Sequence, residues 1–386
     1  MIEVVVNRRA AARVASGHPW IFSSDVLDSS AASAGDAVKV VDPAKRALGV
    51  AHFSGASQIA LRLLSSRVEE VDAAFFRRRF QAALEYRRKV VAGSGAFRLV
   101  HAEGDLLPGL IVDRYGDYLS VQTLNQGMDR AKDAIVAALV DLVSPRGVLL
   151  RNDAAVRSKE SLPRETAVAH GEIPESVAIA MNGLRFEVDL VRGHKTGVYL
   201  DQRENYLAAA RYSHGVALDC FTSTGGFALH LAAHCERVEG VDTSEAALDT
   251  ARRNQQSNGI ANLEFRHADV FDLLASYTAA GRRFSTVILD PPAFAKTRGA
   301  LDGAGRGYKE INLRALRLLT SGGILVTCSC SHHFSEAGLL ESVASASLDA
   351  GRTLRVLERR TQAQDHPILL TVPETHYLKC LILQVL

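Results

Sequence analysis

Tryptophan occurs once in this chain of 386 residues, methionine three times, proline ten times and cysteine five times. An odd number of cysteines without a framework spacing excludes a scaffold built on disulfides, and a reduced interior is expected. Long apolar runs are also missing. The most apolar helical stretch, around Ala134–Val143, is interrupted by Asp141 and is too short to span a bilayer. The opening, Met1-Ile-Glu-Val-Val-Val-Asn-Arg-Arg, carries charges too early for a secretory signal. Neither charge sign dominates: 45 Lys+Arg against 43 Asp+Glu leave +2, which excludes a histone-like polycation. A cytoplasmic protein without a membrane partner is the expectation.

What is present is ordinary globular usage, 47% hydrophobic and 23% charged, so wholesale disorder is excluded. At roughly 100–200 residues per domain the chain holds two or three domains. Charge is uneven along it. Residues 1–100 carry 15 Lys+Arg and 9 Asp+Glu, or +6, and the remainder is −4. A basic N-terminal quarter points to an anionic partner, with chance clustering at Arg77-Arg78-Arg79 as the competing account.

Residues 1–70 read as short β segments: Val4–Val6, Ala37–Val41 and Ile59–Leu64, with turns at Gly35-Asp36 and Asp42-Pro43. Trp20, after Gly17-His18-Pro19, is expected to anchor the core of a small barrel, ahead of the alternative of base stacking. Helical spacing over Ala73–Lys89, strand signals over Phe97–Ser120, a helix over Met128–Leu142 and a strand at Val148–Arg151 predict a central α+β domain over 71–178. The polar stretch Glu160–Glu175 reads as a linker or exposed loop.

From 179 to 386 strands and helices alternate. Strands are expected at Val216–Leu218, Val238–Val241, Leu263–Arg266, Thr286–Leu289 and Gly323–Thr327, with helices between them. Repeated βα units predict a Rossmann-like, doubly wound, mostly parallel α/β sheet. Ligands bind such sheets outside the carboxyl ends of the strands.

Those ends carry acids. The first strand leads into Asp219-Cys220-Phe221-Thr222-Ser223-Thr224-Gly225-Gly226, a small-residue turn that lets backbone approach a ligand. Asp242 ends the second strand, where a carboxylate accepts from ribose hydroxyls. Asp269 follows the third, placed to accept from an adenine amino group. Each acid alone is as well explained as a helix cap, but three at successive strand ends are not. The fourth strand ends in Asp290-Pro291-Pro292-Ala293-Phe294, a stiff wall behind a carboxylate. The fifth ends in Thr327-Cys328-Ser329-Cys330-Ser331-His332-His333. Alternation places Cys328 and Cys330 on one face if the strand stays extended. The spacing is wrong for a structural zinc site and no metal is expected, which leaves an inert buried pair or a reactive thiol facing Asp290.

Together, His194–Asn205, the Thr224-Gly225-Gly226-Phe227 turn, Asp290-Pro-Pro-Ala-Phe-Ala-Lys296 and Thr327–Ser331 closely resemble one family. It comprises the S-adenosylmethionine-dependent RNA cytosine-5 methyltransferases of large-subunit (23S) ribosomal RNA. The likeness extends through Gly104–Asp117 and Gly17–Phe22. It implies an RNA-binding PUA-like domain over 1–70, the central domain and a C-terminal methyltransferase domain. The partner implied is 23S rRNA, free or in an assembling subunit, and a homodimer is compatible with it. For S-adenosyl-L-methionine it implies a cradle of Asp219, Phe221, Thr224, Gly225 and Gly226, with Asp242 on the ribose and Asp269 on the adenine. Gln202 and Asp290 are implied to help close that site. Thr222 departs from a frequent cysteine, and Val198-Tyr199 from two aromatics; neither is expected to touch the chemistry.

C5 of cytosine is a poor nucleophile until a thiolate adds at C6. The resemblance makes Cys328 the thiol, Asp290 the N3 partner, and Cys330 the alternative nucleophile or a helper in release. A base flipped into such a pocket costs a few kcal/mol, which favours loops or unfolded RNA. The segment 297–307, rich in glycine, reads as a lid or an ordinary loop. Two other functions fit parts of the sequence. The Asp290-Pro-Pro motif also resembles that of exocyclic-amine methyltransferases, which need no thiol. A non-catalytic ribosome-assembly factor would keep the fold without the acids and thiols.

Overall fold

The computed structural model describes residues 1–191, 198–294 and 301–386. His194–Gly197 and Lys296 of the motifs above lie outside the described residues, as do positions 297–300. The chain divides into two compact units. The first is Met1–Ile179 with Val188–Gly197 and Gln364–Thr375; the second is Ala180–Glu187, Val198–Ala363 and His376–Leu386.

The first unit holds two sheets. Strands β1 (Glu3–Val6), β2 (Trp20–Phe22), β3 (Val26–Asp28), β4 (Ala37–Val41), β5 (Ala47–Phe53) and β6 (Ile59–Ser65) pair in the order β2-β6-β5-β4-β1-β3. Only β1 and β4 run parallel among its pairs. Alternate residues Val4, Val6, Val38, Val40 and Leu61 close the core with Ala10 of helix α1 (Arg8–Ala15). Trp20 is not part of that core. It is half-buried, and its indole N–H donates to Glu103 at 2.8 Å, so the single tryptophan serves as an amphipathic tie rather than a core anchor.

The second sheet has β7 (Ala96–His101), β8 (Leu110–Tyr115), β9 (Tyr118–Thr123), β10 (Gly147–Asn152) and β11 (Glu165–Gly171) in the order β11-β10-β9-β8-β7. Helix α2 (Ala73–Val90) is capped by Asp72 and buries Phe75, Phe76, Phe80 and Leu84. The single helix expected over Met128–Leu142 is two, α3 (Gln126–Arg130) and α4 (Lys132–Val143). The stretch expected to be a loop contains β11. Its polarity reflects an edge position, exposed along almost its whole length and paired only with β10.

Strands β12 (Val177–Met181) and β13 (Leu184–Val188) form a hairpin turning at Asn182-Gly183, both at positive φ, as a two-residue turn requires. The large sheet of the second unit contains β14 (Val216–Cys220), β15 (Arg237–Asp242), β16 (Leu263–His267), β17 (Phe284–Leu289), β18 (Leu319–Ser329), β19 (Leu354–Thr361) and β20 (Lys379–Val385). Their order is β16-β15-β14-β17-β18-β20-β19. The first five in that order are parallel, and β20 is antiparallel to both neighbours. Helices α5 (Arg203–Tyr212), α6 (Gly226–Leu231), α7 (Glu245–Ser257), α8 (Val270–Ala279), α9 (Leu301–Leu318) and α10 (Glu336–Asp349) accompany it. This is the predicted Rossmann-like α/β class. Leu218, Val241, Val287, Leu289 and Leu325 form its core with Tyr308, Ile311 and Leu339 of the helices. Residues 301–307, read as part of a lid or loop, are the opening turns of α9.

Chain order reverses between β14 and β17, and that switch point is where a doubly wound sheet leaves a crevice. In the first unit the notable burial is ionic. The unexposed Arg87 guanidinium pairs with both oxygens of Asp105 and donates to the Asp365 carbonyl at 2.7 Å. Arg87→Met should lower unfolding free energy by roughly 3–5 kcal/mol, since Asp105 is left charged and nearly buried. Urea titration of the variant would read this, and a loss below 1 kcal/mol would show the pair to be dispensable.

Candidate active site

The loop leaving β14 is held in an unusual conformation. Phe221 and Ser223 have φ of 65° and 50°, and Gly225 has φ of 89°. Two non-glycine residues in the left-handed region within five positions are strained, and such strain concentrates at ligand sites. A Cβ on Gly226 would lie 2.5 Å from the Tyr206 ring, so that backbone packs where no side chain fits. Thr224 adds its carbonyl, which accepts from Asn254 at 3.0 Å.

Asp219 lies beneath this loop with no exposed surface. Its Oδ2 accepts from the Thr222 hydroxyl at 2.6 Å and the Ala228 N–H at 2.9 Å. Oδ1 is buried without a hydrogen-bond partner among the described residues. Burial pushes the carboxyl up to about 7 against the two hydrogen bonds, and the nearby Asp290 and Asp242 carboxylates add to the rise. A buried acceptor left unanswered under a strained turn that ends in the bare backbone of Gly225-Gly226 fits the ammonium end of a methionyl group. Thr222, whose departure from the family pattern left its local contacts open, is the hydroxyl that donates to this acid.

Asp242 accepts from Ser223 N–H at 2.9 Å through Oδ2 and from Ser244 N–H at 2.9 Å through Oδ1. It therefore fixes the strained loop against β15, and helix α7 takes its own cap from Ser244. Asp269 does cap a helix: its Oδ1 accepts from Phe271 and Asp272 N–H at the start of α8. Of the three acids, only this one has the bonding expected of a simple cap.

Asp290 follows β17, and its Oδ2 accepts from Gln202 Nε2 at 3.0 Å. Gln202 is buried, and its other end accepts from Asn205 at 2.7 Å. Phe294 packs into an aromatic series with Tyr308 (4.8 Å between centroids), which stacks on Phe334 (4.8 Å). Register across adjacent strands pairs Leu289 with Thr327, so Asp290 comes level with Cys328.

The two thiols differ. Cys328 is 0% exposed and faces Cys380 across β20. Burial raises its pKa well above the ordinary thiol value, Cys380 and Asp290 raise it further, and a contact with Gln202 opposes them. Cys330 lies past the end of β18 and is only half-buried. The extended strand needed to place both on one face thus stops one residue short.

Three positions escaped sequence reasoning. Tyr206 is buried against the Gly226 turn, and its hydroxyl donates to the Tyr199 carbonyl at 3.3 Å. Burial and the charges of Asp290, Asp201 and Asp219 hold its phenol well above the usual range. Cys380 and Lys379 come from β20, some fifty residues after the Cys328 strand end, and no spacing rule links them. For Tyr206, adjacency to the Asp201–Asn205 motif was the one available signal.

In the free protein Asp219 holds a proton between the ordinary aspartate value and about 7, where the unfolded chain has lost it, so this group lowers stability as pH rises through that window. Asp219→Asn should abolish that component of the pH dependence. It should also weaken S-adenosylmethionine binding by tenfold or more, with the larger deficit at pH 8, where the native carboxylate is ionised. Calorimetric titration at pH 6 and pH 8 checks this; equal affinity in the two proteins would remove Asp219 from the site.

Comparisons with known proteins identify the family. Residues 4–66 match the PUA-like domain family, and residues 135–383 match the S-adenosylmethionine-dependent methyltransferase family. Ribosomal RNA large subunit methyltransferase I of Aeromonas salmonicida is 43% identical over 377 residues, covering 95% of each chain. The protein of the same name from Photobacterium profundum is 43% identical over 372 residues, covering 94% of each. A solved methyltransferase complexed with SAH, SMU.776, superposes over the full length of both chains with a TM-score of 0.86 at 22% identity, which supports the fold. Among the described residues no helix is long and apolar enough to cross a membrane. The cofactor is S-adenosylmethionine, and the chain belongs to the S-adenosylmethionine-dependent methyltransferases, within the family of ribosomal RNA large subunit methyltransferase I.

Proposed function

We propose that the protein methylates C5 of a cytosine in 23S ribosomal RNA through a covalent cysteine adduct. The observation that carries this reading is a half-buried thiol, Cys330, just beyond a strand end whose neighbour presents the Asp290 carboxylate. The 43%-identical relatives named for large-subunit rRNA supply the substrate class.

Cys330 is the better nucleophile of the two thiols. The motif resemblance favours Cys328, but that sulfur has no exposed surface and is surrounded by groups that disfavour its anion. A thiol must ionise and reach C6, and burial opposes both. Cys328 then serves to pack Gln202 and the end of β20.

The Cys330 thiolate adds to C6, and the displaced π electrons move into the ring toward N3 and C5. Asp290, oriented by Gln202, holds the N3 edge with a proton and stabilises the charge built there. S-adenosylmethionine, when bound, would supply an electrophilic sulfonium methyl for C5 and leave as the neutral thioether once its S–C bond breaks. Loss of the C5 proton to a base and departure of the thiolate from C6 restore the ring and the enzyme. Asp219, Phe221, Thr224, Gly225 and Gly226 would hold the methionyl part, Asp242 the ribose and Asp269 the adenine. Basic residues of the first hundred, which carry a net +6, would hold RNA phosphates.

Methyl transfer from labelled cofactor to 23S rRNA, followed by nucleoside analysis, tests the proposal. The expected product is 5-methylcytidine, reduced at least 1,000-fold by Cys330→Ala and far less by Cys328→Ala. The opposite ranking would return the nucleophile to Cys328. An N-methylated product formed by both variants would establish the amine chemistry of the Asp290-Pro-Pro motif instead.

A further inference from the structure

Lys379 opens β20 opposite Ser329 and is 3% exposed, the deepest placement of any lysine described. Its ammonium donates to the Ser331 carbonyl at 2.7 Å and the Tyr377 carbonyl at 2.8 Å. These two acceptors are peptide dipoles, and no carboxylate among the described residues bonds it. A buried cation is costly unless it is paired with an anion, and a methionine would fill the same space without that cost. Lys379 thus pairs in register with Ser329 and bonds Ser331, the two residues flanking Cys330, whose charge favours the ammonium. An ammonium has three N–H donors, and the two carbonyls engage two of them.

The surrounding ionisable groups leave the same candidate. Cys330 and Glu336 are the two groups whose charge favours the ammonium. Glu336 already pairs with Arg359 at 2.6 Å and also feels His376. Tyr377 gives its hydroxyl to Asp201, and its ring stacks on His332. Tyr308 meets the Ser331 hydroxyl at 3.2 Å. Burial brings Lys379 down to about 8, which leaves it cationic at neutral pH.

We propose that Lys379 is a positioning residue whose ammonium, held by the Ser331 and Tyr377 carbonyls, keeps Cys330 in its thiolate form. The S–H proton leaves to solvent, and no other bond changes. A strand-end thiol thereby becomes a nucleophile. The purpose of this arrangement rests on the cytosine-5 reading, but its observable does not.

The test is the pH dependence of iodoacetamide alkylation at Cys330, located by peptide mass spectrometry, in the full-length protein. In Lys379→Met the alkylation midpoint should rise by about one pH unit or more, a tenfold loss of thiolate at neutral pH. Lys379→Arg should recover part of the shift. Coupling is reciprocal, so Cys330→Ser should lower the Lys379 titration midpoint, followed by NMR of lysine labelled with carbon-13. That second measurement stands even if Lys379→Met does not fold. Unchanged midpoints overturn the proposal, whatever Cys330→Ala does to methylation. If the midpoints shift while Cys330→Ala still produces 5-methylcytidine, the thiolate pair stands and the assignment of Cys330 as nucleophile falls.

Discussion

The second unit depends on a carboxylate kept out of water. Asp219 sits at the centre of a parallel sheet, where a charge is tolerated only if the surroundings donate to it. Thr222 and Ala228 answer one oxygen. To bring those donors back over the strand end, the loop takes left-handed backbone at Phe221, Ser223 and Gly225. Asp242 then ties down the middle of the loop, and the bare backbone of Gly226 admits Tyr206. The remaining oxygen is buried without a hydrogen-bond partner among the described residues.

A different physical rule separates the two thiols two residues apart. The last seven residues of β18, Gly323–Ser329, are buried without interruption, whereas Cys330 just beyond its end is half-buried. Cys328 falls within the strand and Cys330 beyond it. Gln202 joins this region to Asp290 from a separate segment, with its amide committed at both ends. An amide committed in this way fixes the carboxylate it touches, and substitutions there act through geometry rather than charge.

Much of the fold was legible because period and punctuation are local properties. The alternation of strands and helices from 179 onward reports burial on both faces of a parallel sheet. The acids at the strand ends report the crevice. Where the reading failed, the cause was tertiary. Residues 165–171 look like a loop because an edge strand is as polar as one. Trp20 looks like a core anchor, but an indole with a hydrogen-bond partner is as comfortable at a half-buried position. Thr222 looks like a neutral departure from a family pattern, and only the folded loop places its hydroxyl on Asp219.

The sequence by itself determined the class of sheet, the family, the cofactor and the acids at the strand ends, because each follows from short-range pattern. The tertiary structure decided which groups share one environment. It placed Cys380 and Lys379, which the chain reaches only after α10 and β19, beside Cys328 and the turn after Cys330. It also decided which thiol is sealed. Burial and electrostatics depend on neighbours distant in sequence, and a linear pattern carries no record of them.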